Sequence, residues 1–280
     1  MKASGICIVL LACILTIGRV FAEDAIVPFD QKLALNLLGK YSLGMFQQGS
    51  TDYKTDISWD LGFGIRYKNL AAEAYFPISS NKVSFDAALN FYRKKMYYEA
   101  FFKRYKNYFN GKDGADGHED AGLDVLNGGI MAGWVQNYEN HSLRSVFSLS
   151  EKQTRSSGSF LYGFGVFYTS VYAENEAMSR YTERQHIVYF GPSAGFSYTW
   201  MLPRGMFING AFKGGVNMGI HMNATDILLV IPQINPKFTF GRHGRSWSIN
   251  ATAGVNATLL VWDKDTYDIS SPLTVTLSTG

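Results

Sequence analysis

Cysteine and charge are both scarce in this chain of 280 residues. The two cysteines, Cys7 and Cys13, both lie near the N-terminus, and charged residues make up 18% of the sequence, against ~25% in an ordinary soluble domain. The lack of cysteine in the rest of the chain excludes a disulfide framework and makes a structural zinc site improbable. A net charge of +3 without any Lys/Arg block excludes nucleic acid as a partner class. Beyond the N-terminal segment no stretch reaches the ~20 apolar residues that a transmembrane helix needs; Ile227 to Ile231 is a short run. Fixed-period repeats, low-complexity linkers and Pro-rich hinges are also missing, so the chain reads as one domain.

What is present starts at the N-terminus. Lys2 precedes an apolar run from Ile6 to Ile17, and Val20-Phe21-Ala22 fits a small-x-small cleavage site. Residues 1–22 are therefore expected to be a signal peptide cleaved after Ala22, and residues 23–280 the exported domain. Leu10-Leu11-Ala12-Cys13 offers lipidation at Cys13 as an alternative, but Leu11 fits poorly and apolar residues continue past the cysteine.

The exported part is rich in glycine, phenylalanine and tyrosine, a composition suited to sheet. From Tyr53 to Tyr67 the odd positions read Tyr53, Thr55, Ile57, Trp59, Leu61, Phe63, Ile65 and Tyr67. The even ones carry Lys54, Asp56, Ser58, Asp60, Gly62, Gly64 and Arg66. This is period two, with an oily face and a wet one. Leu33 to Met45, Met206 to Ile220 and Trp247 to Val261 repeat the pattern. Further segments follow at Leu70 to Ile78, Val83 to Tyr92, Met96 to Tyr108, Gly129 to Tyr138, Leu143 to Ser150, Ser159 to Tyr172, Ile187 to Trp200 and Gln233 to Phe240.

About twelve antiparallel strands are expected, within a range of ten to fourteen. Long connections at Asn110 to Asn127 and Ala173 to Arg184 follow the fifth and eighth strands of this set. That breaks the alternation of long outer loops with short periplasmic turns, so one strand is misassigned; Leu273 to Leu277 is a further candidate.

Most segments reach the ~9 to 11 residues that cross an apolar band ~25 Å tall, and the clearest oily faces are free of charge. A charge facing lipid at the midplane would cost ~2 to 4 kcal/mol, and closure into a barrel removes exposed edges. The expected fold class is thus an all-β antiparallel transmembrane β-barrel of a bacterial outer membrane, with membrane lipid around it and barrel-assembly machinery as a partner. The ending Leu277-Ser278-Thr279-Gly280 lacks the aromatic residue with which such barrels commonly finish.

Two regions carry a resemblance. DLGFGIRYKNL (Asp60 to Leu70) continuing through Phe85 to Phe109, and YFGPSAGFSYTW (Tyr189 to Trp200), resemble a bacterial family known as domain of unknown function 4421. Its members look like exported outer-membrane barrels; the resemblance implies that fold and location and supplies no activity.

For chemistry, Asp56, Asp60 and Arg66 share a wet face, to which Glu73, Glu99, Lys103 and Lys213 can be added from neighbouring strands. They form either a polar pathway or ligand cradle, or an ion-paired network plugging a narrow lumen; the mixed signs favour the plug. His118, His141, His186, His221 and His243 show no metal-ligand spacing. His118, Glu119 and Asp120 lie in an acidic loop that matches no EF-hand. His221 with Asn217, and Ser193 with Ser197, can be drawn as parts of a hydrolase site, but Gly191 to Gly195 reads as a strand-entry glycine pattern rather than a nucleophile elbow. Gly210, Gly214, Gly215 and Gly219 lack the strand-to-helix setting of a phosphate loop.

The sequence therefore points to a non-enzymatic structural or surface barrel or a narrow, porin-like pore, with no cofactor and no metal. The alternatives are an outer-membrane enzyme acting on lipid or lipopolysaccharide and a soluble periplasmic β-barrel carrier.

Overall fold

A long ribbon with one oily face and one wet face is stable only if each face meets its own medium, and a closed ring of such ribbons does this without leaving an edge. The computed structural model describes residues 25–30, 32–48, 51–55, 58–78, 84–106, 108–110, 122–174, 181–222, 229–245, 247–263, 266–270 and 273–279. The expected signal peptide, with Cys7 and Cys13, lies outside them, as do Asp56 and the loop carrying His118, Glu119 and Asp120.

In chain order the strands are β1 (Ile26–Pro28), β2 (Leu33–Leu43), β3 (Met45–Gln48), β4 (Thr51–Thr55), β5 (Ser58–Tyr67), β6 (Leu70–Pro77), β7 (Ser84–Tyr92), β8 (Met96–Tyr105), β9 (Tyr108–Asn110) and β10 (Leu123–Val135). They continue as β11 (Glu151–Gln153), β12 (Ser157–Ala173), β13 (Gln185–Met201), β14 (Met206–His221), β15 (Leu229–His243), β16 (Ser248–Val255), β17 (Ala257–Asp263), β18 (Thr266–Ser270) and β19 (Leu273–Thr279).

All pairings are antiparallel, and they form a circuit. From β2 the ladder runs through β5, β6, β7, β8, β10, β12, β13, β14, β15, β16 and β19 and returns to β2. Among the described residues this ring has twelve staves, with β3, β4, β9, β17 and β18 extending β2, β5, β8, β16 and β19 at one end. The last stave closes on the first: Leu273 pairs with Leu43 and Thr279 with Leu37.

Three expectations need correction. Leu143 to Ser150 is not a strand: Arg144–Ser148 is one turn of π-helix, flanked by β11 and inserted between β10 and β12. Its hydroxyls turn back onto the main chain: Ser145 Oγ donates to the Ser142 carbonyl at 2.8 Å, and Ser148 Oγ to the Arg144 carbonyl at 3.2 Å. Such local bonds compete with extended pairing. With that segment removed and β18 and β19 added, both long loops fall at the same end of the barrel, between β9 and β10 and between β12 and β13. The alternation is thereby restored, apart from the 136–156 insert on the short-turn side.

Second, Tyr53 to Tyr67 does not keep one phase. Tyr53 and Thr55 are buried on the inside, whereas Trp59, Leu61, Phe63, Ile65 and Tyr67 point outward. Third, Gly191 to Gly195 lies in the middle of β13 rather than at its start.

Outside, the belt is hydrophobic. Leu35, Trp59, Phe63, Ile65, Ile130, Phe164, Phe212, Val216 and Phe238 are all exposed, with Leu35 at 75%. Left in water, such an area would be an aggregation surface; against hydrocarbon it costs nothing. Inside, glycines leave room for large rings. A Cβ on Gly133 would come within 2.2 Å of the Tyr97 ring, and one on Gly165 within 2.3 Å of Phe167.

Candidate functional site

The inward faces of the staves define the site, because alternation sends Lys40, Asp60, Arg66, Glu73, Asp86, Glu99, Lys103, Lys213 and Lys237 to the inside of the ring. Lys40 Nζ donates to Asp86 Oδ2 at 2.5 Å and to the Tyr105 hydroxyl at 3.4 Å, and lies 4.0 Å from Asp60 Oδ2. Lys103 approaches the same Asp86 oxygen at 3.7 Å, and Ser42 donates to Asp60 at 3.1 Å. Further along the lumen, Lys213 Nζ is 3.1 Å from Glu99 Oε2 and stands over the Tyr97 ring. Glu73 accepts from the Tyr75 hydroxyl at 3.0 Å.

Asp60 and Lys103 thus join one cluster through Lys40 and Asp86, whereas Glu99 and Lys213 form a separate pair. Glu73 stands with Tyr75, and Arg66 does something different. Its guanidinium donates to the main-chain carbonyls of Ser148 and Leu149 in the insert, at 2.5 Å for Leu149.

Lys40, Asp86 and Lys237 belong to this set and are not singled out by sequence. Each alternates with an outward apolar residue, so parity alone places it inside; what sequence does not give is the cross-barrel register that pairs Lys40 with Asp86. Lys237 stands 5.3 Å over Phe147 of the insert and faces Glu99 and Glu73.

The insert closes the short-turn end of the lumen. Besides the Arg66 contacts, Asn250 Nδ2 donates to the Val146 carbonyl at 2.7 Å. Val146 and Leu149 pack on Phe207. β11 pairs with β1, Ile26 opposite Gln153, so the start of the described chain lies across the same mouth. Phe29 then meets His243 edge-on at 6.1 Å, and His243 in turn stacks on the Phe207 ring at 4.7 Å. Within the insert, Arg144 pairs with Glu151 at 3.2 Å, and Ser142 donates to the same carboxylate. His141 is buried, its Nδ1 3.0 Å from the Ser157 carbonyl, and burial pushes its pKa down to about 4.

The long-loop end is closed differently. Phe46, Tyr53, Tyr105, Tyr108, Leu123, Val125, Val171 and Tyr181 form one buried cluster, in which Phe46 and Tyr181 meet edge to face at 5.6 Å. Gly44 is required there, since a Cβ would lie 2.9 Å from both Thr55 and the Tyr108 hydroxyl. Between the two closures remains a cavity of about 260 Å3, lined by charged residues, by the amides of Asn90, Asn217, Gln233 and Asn235, and by Phe101 and Phe167.

The residues that could be drawn as a hydrolase site do not assemble into one. His221 Nε2 meets Gln185 at 2.6 Å, Asn217 donates to the Ile231 carbonyl, and Ser197 accepts from Asn209. A serine–histidine pair that sequence spacing does not show, Ser248 with His243 at 3.0 Å, is buried beneath Phe207. Among the described residues no group of three His, Cys, Asp or Glu side chains is placed to hold a metal ion.

A closed antiparallel ring with a hydrophobic exterior and a polar, filled interior defines a β-barrel of the outer-membrane type. The family model named Domain of unknown function (DUF4421) matches residues 34–278, and the chain belongs to that family. No curated protein matches it. Among solved structures, it is similar to the translocator domain of autotransporter NalP from Neisseria meningitidis, with 14% identity, 98% of this chain and 94% of that one covered, and a TM-score of 0.41. An outer membrane channel from Pseudomonas putida F1 is 9% identical over 93% of this chain and 99% of that one, with a TM-score of 0.40. The transport unit of autotransporter AIDA-I from Escherichia coli is 12% identical over 97% of each chain, with a TM-score of 0.34.

Proposed function

We propose that this protein is a non-enzymatic outer-membrane barrel with a filled lumen, a structural or surface protein whose resting state does not conduct. The observation that carries this reading is the inward-folded insert, held by Arg66 and Asn250 across the short-turn mouth. Residues 1–22 direct export and are removed after Ala22, and assembly machinery places the barrel with its short turns in the periplasm. The cavity left at mid-lumen favours a second reading, a narrow pore that opens when the insert leaves and the long-loop cluster parts.

Planar-bilayer recording separates the two. The wild-type barrel is expected to give no conductance above lipid alone, and Arg66→Ala combined with Asn250→Ala to give discrete openings only when Phe46→Ala also loosens the long-loop cluster. Steady wild-type conductance would overturn the closed reading. Phospholipid hydrolysis that disappears in His221→Ala would instead establish an enzyme, and a mature chain that stays dispersed without detergent would establish a soluble carrier.

A further inference from the structure

The outer face is uncharged along most of β8, β10, β12 and β13, but at their long-loop ends it changes character. Asp124, on the outward side of β10, accepts two bonds from Arg104, at 3.0 and 2.7 Å. Its Oδ2 also meets Arg184 Nη2 at 3.1 Å and lies 4.0 Å from Lys106 Nζ. Arg184 is fixed further by Ser170 Oγ at 3.3 Å and by the Tyr172 ring, 5.1 Å below its guanidinium. Three cations thus surround one nearly buried carboxylate, while their own side chains remain more than a third exposed.

Directly below, on the same strands, the outer wall is hollow. Phe102 pairs with Gly128 and Ala100 with Ile130, one and two rungs down the outer face from Arg104 and Leu126. The small side chains of Ala72, Ala87 and Ala100, with Gly128, leave an apolar groove of about 570 Å3. A second groove of about 340 Å3, sharing Leu89, Ala100, Ile130 and Val166, carries it on past Ala132. From Gly128 to Ala132 the combined trough follows the strand for ~13 Å at ~3.3 Å per residue.

Resting on the membrane-spanning reading, we infer that this surface is a binding site for an anionic lipid of the surrounding bilayer, its phosphate held by Arg104, Lys106 and Arg184 and an acyl chain lying in the trough. The arrangement suits a phosphate, because Asp124 holds the two guanidinium groups and the ammonium together at one point, and guanidinium forks match phosphate oxygens. Its level on the barrel, where the apolar belt gives way to charge, is that of a headgroup.

The test uses the folded full chain in detergent, given equal phosphatidylglycerol and phosphatidylcholine and read by native mass spectrometry. Phosphatidylglycerol should be retained about fivefold better, the effect of ~1 kcal/mol for a charge near a membrane surface. Replacing Arg104, Lys106 and Arg184 by Gln together with Asp124→Asn should bring the ratio to one. Lys106→Gln alone, which leaves the bidentate pair intact, should lower it about twofold, at the small end of a surface-charge effect. A Cβ at Gly128 meets nothing closer than 3.5 Å, so Gly128→Leu should fold, fill the trough and reduce retention of both lipids equally. Inorganic phosphate should not displace bound lipid.

Equal retention of the two lipids by the wild-type chain, displacement by phosphate, or an unaltered Gly128→Leu would each overturn the inference. Heat-modifiable migration on a gel and a requirement for detergent, measured on the same samples, report separately on the membrane barrel.

Discussion

The two ends of the lumen are closed by opposite chemistry. At the long-loop end the barrel's own strands contribute Phe46, Tyr53, Tyr105, Tyr108 and Val171, joined by Tyr181, to an apolar cluster that is continuous with the wall. At the short-turn end a separate segment is held from the wall by side chains that grip its main chain, Arg66 on Ser148 and Leu149 and Asn250 on Val146. An apolar cluster shared among staves opens only if the staves part. A segment hung on a few hydrogen bonds, each worth ~1 to 3 kcal/mol net, can leave while the ring stays intact. The first closure is therefore part of the fold, and the second is a removable part.

The contrast can be tested from both sides. Phe46→Ala should cost the whole barrel ~3 to 5 kcal/mol, the usual penalty for emptying a phenylalanine site, measured as a lower midpoint of urea unfolding in lipid. If it instead loosened only the local loops, the long-loop cluster would not be integral to the ring.

Acidification should act on the other end alone. His141 is neutral in the folded insert, its pKa held near 4, so below its free value of ~6.5 the released insert takes up a proton that the seated one does not. Seating is fully stable above pH ~6.5 and weakens as pH falls toward 4, by up to ~3 kcal/mol. Hydrogen exchange at residues 141–150 should accelerate over that window while β12 and β13 stay protected, and His141→Gln should flatten the profile. Uniform acceleration across the barrel would break the distinction.

Asn250→Ala should have the smallest effect, ~1 kcal/mol from one lost bond to a buried carbonyl. It should appear as faster exchange at Ser148 and Leu149 with an unchanged unfolding midpoint.

Much of the wall was legible in the sequence, and the closures were not. The alternation of Leu33, Leu35 and Leu37 with Asn36, or of Phe212 and Val216 with Lys213 and Asn217, places each side chain on its face, because a strand offers only two choices. The same logic sends Asp60, Arg66, Glu73, Glu99, Lys103 and Lys213 inward. It does not show that Arg66 serves the insert rather than a carboxylate, since that depends on where residues 144–150 fold. Those residues read as a strand because Leu143, Ser145, Phe147 and Leu149 mimic alternation. Their serines hold a tight turn instead, at a price in local regularity that no period reveals. Tyr53 reads as outward for a similar reason: the phase changes between β4 and β5, and one tyrosine looks like another whichever way it faces.

The short ladder between β1 and β11 also bears on timing. In a chain threaded N-terminus first, Ile26 emerges early, yet its partner Gln153 follows only after the first six staves. A contact between such distant stretches forms slowly, because the chain between them must first be ordered. Ile26–Pro28 must therefore wait until half the wall exists before its partner strand is made. Its docking then works as a latch, engaged only on a barrel that has been built far enough to be shut.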